Sequence, residues 1–99
     1  MTGVIPESFE LSQNYPNPFN PSTTIRYALP TESKVTIKIY NMLGQEVRTL
    51  INDVVSSGYH EVVFNAANLS SGVYLYNIKA ISTLGSKEYS NTKKLILLK

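Results

Sequence analysis

The chain of 99 residues contains no cysteine and no tryptophan, has a single histidine, His60, and only 16% charged residues. Without cysteine there is no disulfide framework, no thiolate metal site and no cysteine nucleophile, while the compartment stays open and any redox trap during export is removed. No long hydrophobic run occurs. The run Leu95 to Leu98 is far too short to cross a membrane, which argues against direct membrane insertion, and the start at Met1 has neither the basic nor the apolar region of a signal peptide. The segment reads as one cut from something longer. Basic residues are dispersed, with only Lys93 and Lys94 adjacent and a net charge of +2, so no basic stripe points to nucleic acid.

Constellations that carry chemistry are also missing. The carboxylates Glu7, Glu10, Glu32, Glu46, Asp53, Glu61 and Glu88 are scattered singly and form no acid–base pair. His60 has no second ligand at metal spacing and reads as a strand residue at a sheet margin. Ser70-Ser71-Gly72 lacks the preceding glycine of a nucleophile elbow, and Asn68 in Asn68-Leu69-Ser70 reads as a turn residue rather than a glycosylation acceptor. No enzyme, metal or cofactor is expected.

What is present is 42% hydrophobic residues, seven tyrosines, and three of five prolines packed into Asn14-Tyr-Pro-Asn-Pro-Phe-Asn-Pro21. Each proline fixes φ and removes a donor, and the residue before it is pushed toward extended conformations, so this stretch is neither helix nor central strand. It is expected to form a rigid corner in which Tyr15 and Phe19 anchor inward while the asparagine amides tie nearby backbone. A bare proline-rich linker is the weaker alternative, because a linker does not need two aromatic anchors.

Around the corner the chain reads as strands. Phe9 to Gln13 predicts a short first strand, and Thr23 to Leu29 alternates with Ile25, Tyr27 and Leu29 on one face. Lys34 to Tyr40 places Val35, Ile37 and Ile39 inward, then Asn41 to Gly44 turns the chain, with Gly44 at positive φ, into Glu46 to Ile51, where Val47 and Thr49 share a face with Ile51. Asn52 to Ser57 reads as a connection. Tyr59 to Asn65 carries apolar groups on both sides and is expected to be a central strand; Leu69 plugs the following loop. Val73 to Ile81 and a weakly patterned strand within Lys87 to Lys99 follow, separated by a turn at Leu84-Gly85-Ser86. No segment shows helical spacing. The expectation is one all-β domain, an antiparallel sandwich of about seven strands over residues 9–99, with residues 1–8 as a linker or expression start.

Tyrosines 27, 40, 59, 74 and 76 raise a rival reading, an aromatic platform that binds carbohydrate, against which stands the common habit of strand tyrosines to pack half-buried with a wet hydroxyl. An inert spacer module of an extracellular enzyme is a further alternative.

Four segments together, Asn14 to Ile25, the Ile39 to Val47 hairpin, Ser71-Gly-Val-Tyr74 and Thr92-Lys-Lys-Leu-Ile-Leu-Leu-Lys99, resemble the type A C-terminal sorting domain of the Por, or type IX, secretion system of Bacteroidetes-type bacteria. The resemblance runs from about Phe9 to Lys99. It implies a small Ig-like β-sandwich that closes a larger exported passenger, passes through the periplasm, and reaches the outer membrane, cell surface or medium. Its implied partners are type IX translocon components, a sortase-like peptidase and the upstream passenger domain. The family's recognition motifs fall on Tyr15, Pro16, Asn17 and Pro18, on Gly72 and Tyr74, and on Lys94 and Lys99. Reading of the C-terminal strand by β-augmentation is the mode considered for it.

Overall fold

A computed structural model describes residues 5–85 and 87–99. Of the sequence expectations, the Met1 to Val4 part of the linker and Ser86 in the last turn lie outside the described residues. Seven strands form two antiparallel sheets: β1 (Glu10–Leu11), β2 (Ser22–Leu29), β3 (Ser33–Tyr40), β4 (Glu46–Val55), β5 (Gly58–Asn65), β6 (Gly72–Ser82) and β7 (Glu88–Leu97). The three-stranded sheet has order β1-β2-β5 and the four-stranded sheet β4-β3-β6-β7, which makes the molecule an Ig-like sandwich. Pro6 is buried, so the end of the expected linker lies against the domain.

Period-2 patterning builds the core. Ile25, Tyr27 and Leu29 of β2 face Val35, Ile37 and Ile39 of β3, and Tyr76, Ile78 and Ala80 of β6 join them with Leu95 and Leu97 of β7, all buried. Each fully buried aliphatic side chain contributes roughly 1.5–3 kcal/mol, so removal of any strand would be felt by the whole sandwich. Leu69 packs half-buried against this cluster, as a loop plug should.

The β3–β4 turn is built on its side chains as well as its glycine. The Asn41 carboxamide oxygen accepts the amides of Leu43 (2.9 Å) and Gln45 (3.0 Å), and Gly44 sits at φ 84°. A Cβ there meets nothing within 4 Å, so Gly44→Ala is expected to lose only the conformational preference, about 1 kcal/mol, with no clash. Urea denaturation should give a lower midpoint with an unchanged m value.

Two strand expectations are corrected. β4 does not stop at Ile51 but runs on to Val55, and its register against β3 shifts at Ile37/Lys38 and again at Ile39/Tyr40. These bulges bring both Leu50 and Ile51 against the core and leave Thr49 exposed, so Thr49 and Ile51 do not share a face. β5 is an edge strand, paired only with β2. Its second apolar face consists of Tyr59 and Val63, both well exposed, and apolar side chains on a surface are common enough that they do not report burial. Arg48 ties β4 to β5 across the sandwich margin, donating to the Asn65 carbonyl (3.2 Å) with its guanidinium carbon 5.6 Å from the Phe64 ring centroid.

Candidate sorting site at one end of the sandwich

The proline corner folds back onto the last strand. Phe19 N–H donates to the Ile96 carbonyl and Leu98 N–H to the Phe19 carbonyl, both at 3.0 Å, and Phe19 forms a parallel bridge with Leu97. Between these bonds the Asn17 side-chain oxygen accepts the Ile96 amide (3.0 Å), and Gln13 Nε2 donates to the Lys94 carbonyl (2.7 Å). The end of β7, residues 94–97, therefore lies between β6 on one side and the corner on the other, and Leu98 just beyond it is held by the corner. An added strand would have to displace the corner there, because the Lys94 and Ile96 carbonyls and the Ile96 and Leu98 amides are already taken; β-augmentation at this end of β7 does not meet an open edge.

Beneath the corner lies a polar network. Asn14 is buried, and its amide nitrogen donates to the Pro16 carbonyl (3.2 Å) and Thr23 Oγ1 (3.0 Å), while its oxygen accepts from Gln13 Nε2 (2.6 Å). Thr23 in turn donates to the Pro16 carbonyl (2.8 Å). The Asn14 backbone amide donates to Tyr76 Oη (2.9 Å), and that hydroxyl donates to the Ser12 carbonyl (2.7 Å). Burial pushes the Tyr76 phenol up to about 12, with the Asn14 amide bond acting the other way. Among the described residues no buried side-chain polar atom lacks a partner.

Phe19 anchors inward as expected, 2% exposed, with its ring 5.9 Å from that of Phe64 in a tilted pair. Tyr15 does not. It is 82% exposed and bridges Thr24 of β2, so its ring stands over the outer face of the three-stranded sheet. One aromatic anchor holds this corner, and the second attachment is the Asn14 amide.

The other motif residues gather at the same end. Gly72 opens β6 opposite Leu97, at φ 154°, a backbone conformation that side chains rarely adopt. Tyr74 is buried opposite Leu95 and its hydroxyl donates to the Ser70 carbonyl (2.7 Å). Lys99 is exposed; its backbone amide donates to Ser71 Oγ (2.8 Å) and its ammonium to the Ala67 carbonyl. Pro16, Pro18 and Lys94 are exposed, and Lys94 opposes Leu75 on the outer face of the four-stranded sheet. So the structure brings Asn17, Gly72, Tyr74 and Lys99 together around the end of β7 and places Tyr15 and Lys94 on opposite outer faces.

Asn14 ties the corner to nearby backbone as expected of its asparagines, and Gln13, Thr23, Ser71 and Tyr76 complete the arrangement beyond the residues that the sequence singles out. Tyr76 had a signal, since it shares the inward period of Tyr74 and Ile78. Gln13 and Ser71 have none, because their partners Lys94 and Lys99 lie 81 and 28 residues away.

The tyrosines do not form one platform. Tyr27, Tyr74 and Tyr76 point into the core, whereas Tyr40 and Tyr59 lie on the outer faces of different sheets. Tyr59 borders a groove of about 340 Å³ floored by Ala28 and walled by Glu10, Arg26 and Glu61. His60 is half-buried, bonded to the Ser56 carbonyl (2.8 Å) with its ring 5.5 Å from that of Tyr27, and no group of three metal-ligating side chains exists among the described residues.

The proline corner and the Gly72–Tyr74 segment thus converge on the C-terminal strand of an Ig-like sandwich, a class of small all-β module that hosts many functions. Residues 13–98 match the family described as the secretion system C-terminal sorting domain, and the chain belongs to that family. It is a C-terminal sorting signal of the type IX secretion system, recognised by that machinery and directing secretion to the outer membrane or cell surface; such a domain is a signal and not a catalyst. Solved structures share its fold. The crystal structure of dimeric latent PorU from Porphyromonas gingivalis aligns with a TM-score of 0.68 at 21% identity, over 99% of this chain and 10% of that one. This chain thus spans about a tenth of that PorU chain. CopC from Methylosinus trichosporium OB3b aligns with a TM-score of 0.57 at 12% identity, over 91% of this chain and 93% of that one. No curated protein sequence matches.

Proposed function

We propose that residues 9–99 act as one sorting unit behind a passenger that residues 1–8 join to it, and that the machinery reads the end of the sandwich where the proline corner, the Gly72–Tyr74 segment and the terminal lysines meet. The observation that supports this reading most directly is the seating of residues 94–97 between β6 and the corner, which holds separate motifs in one fixed arrangement. In this role Asn17, Gly72 and Tyr74 hold the end of β7, and Tyr15, Pro16, Pro18, Lys94 and Lys99 stand exposed for contact. The passenger crosses the periplasm before export, and a sortase-like peptidase acts on the junction after it.

The test places Met1 to Lys99 behind a signal peptide and a fluorescent passenger in a bacterium with type IX machinery. The intact fusion should collect at the cell surface or in the medium. Lys94→Ala with Lys99→Ala removes two exposed side chains and is expected to change stability by about 0.5 kcal/mol or less for each, so the variant should melt close to the parent. Its passenger should stay in the periplasm. Normal export of the double variant would show that the terminal lysines are not read, and retention of the intact fusion while another sorting tag exports the same passenger would overturn the reading as a whole.

A further inference from the structure

The outer face of the four-stranded sheet is unlike an ordinary solvent face. Cross-strand register sets Tyr40 opposite Leu75, Leu75 opposite Lys94, and Val73 opposite Ile96, so Tyr40, Leu75, Val73 and Ile96 form a continuous apolar strip across β3, β6 and β7 at the end that carries the sorting motifs. Leu98, 57% exposed, follows two residues after Ile96, and Leu43, 84% exposed, is on the β3–β4 turn into which Tyr40 leads. Outward positions on a solvated sheet normally alternate to polar residues, as Thr36, Lys38, Asn77, Lys79 and Thr92 do on the middle of this face. Val54 and Ile81 break the rule too, but they stand apart on either side of Lys34 at the far end, so the uninterrupted apolar strip of this face is the one where the sorting motifs converge.

Charge on the same face selects the occupant. Lys34, Lys38, Lys79 and Lys94 point outward against only Glu46 and Glu88, and Lys38 is paired to Glu46 at 3.2 Å. The opposite outer face carries Arg26 with Glu10 and Glu61, the reverse balance. A second copy of the chain docked face to face would bring lysine-rich surfaces together, which is unfavourable. We infer that this strip is the surface by which the domain docks on a protein of the export machinery whose contact patch is apolar at its centre and acidic at its margin, with Lys94 meeting a carboxylate there. This rests on the sorting reading above and names the face through which it is carried out. Interfaces of this kind place apolar side chains at the centre and charge at the rim.

Leu75→Thr with Ile96→Thr keeps β-branched or outward strand positions and leaves the core facing side untouched; Tyr59→Thr with Val63→Thr makes a matching change on the other sheet. Both are checked by thermal melting, then compared in the fluorescent fusion for export and, as purified domains, for saturable binding to envelope vesicles from a competent strain and from one lacking the translocon. The first pair should lose export and translocon-dependent binding by tenfold or more, and the second pair should keep both. Lys94→Glu involves no packing and should lower binding further than Lys94→Ala; equal effects would overturn the acidic margin. Should the Leu75/Ile96 variant unfold, Lys94→Glu against Lys94→Ala decides alone. Equal export of parent and strip variant overturns the docking face while the sorting reading stands, whereas failure of the intact fusion removes both. A dimer in sedimentation that the Leu75/Ile96 variant dissociates would give the face to a second copy, and sedimentation with phosphatidylglycerol vesicles, lost in the same variant, would give it to lipid; either overturns the inference.

Discussion

Phe19→Ala is expected to destabilise the domain by about 3–5 kcal/mol, the range for truncating a buried phenylalanine. The ring is 2% exposed, packs on Phe64, and sits on the segment that pairs with Leu97, so the cavity opens between the corner and both sheets. Nothing beside it can fill the gap cheaply, because the prolines on either side fix the backbone. Against a total stability of about 5–15 kcal/mol the loss is severe. Urea denaturation of the purified variant checks it: a midpoint close to the parent would mean that the ring contributes no packing and the corner is a linker.

Tyr76→Phe should cost about 1–3 kcal/mol, since it leaves the buried Asn14 amide and the Ser12 carbonyl without their shared hydroxyl while changing no apolar contact. The same group sets an alkaline limit. The folded phenol titrates near 12, above its ordinary value of 10.0, so its contribution is complete below about pH 10 and is lost as pH rises toward 12. Tyr27, also raised by burial, adds to this limb in the same direction. Chemical denaturation between pH 8 and 12 should therefore fall less steeply in the Tyr76→Phe variant than in the parent. Parallel curves would show that the Tyr76 hydroxyl is solvated and the network open.

Much of the sandwich was legible because a strand with one buried face must alternate. Ile25, Tyr27 and Leu29, and then Val35, Ile37 and Ile39, follow that rule without interruption. The rule fails in β4, where Leu50 and Ile51 both turn inward across a bulge that alternation cannot anticipate. It also fails to rank strands within a sheet, since Tyr59 and Val63 on edge strand β5 look in sequence like residues of a strand covered on both sides. At the candidate site, Phe19 was readable as an anchor because it is large, apolar and locked among prolines. Tyr15, as large and equally locked, points out, because prolines constrain the backbone path without stating which side of it faces the core. The asparagine and tyrosine bonds under the corner join residues 62 apart in sequence, and no local pattern encodes such a match.

The contact between Asn17 and Ile96 closes a loop of 79 residues, and that between Gln13 and Lys94 one of 81. Contacts so distant along the chain repay their closure entropy only after the intervening strands have formed, so they belong to the end of folding. The corner is made early by the ribosome and completed late by its partner. A chain that stops before Ile96 carries the proline sequence but lacks the bonds that give it shape, so the finished corner is a record that the seventh strand has been made and seated.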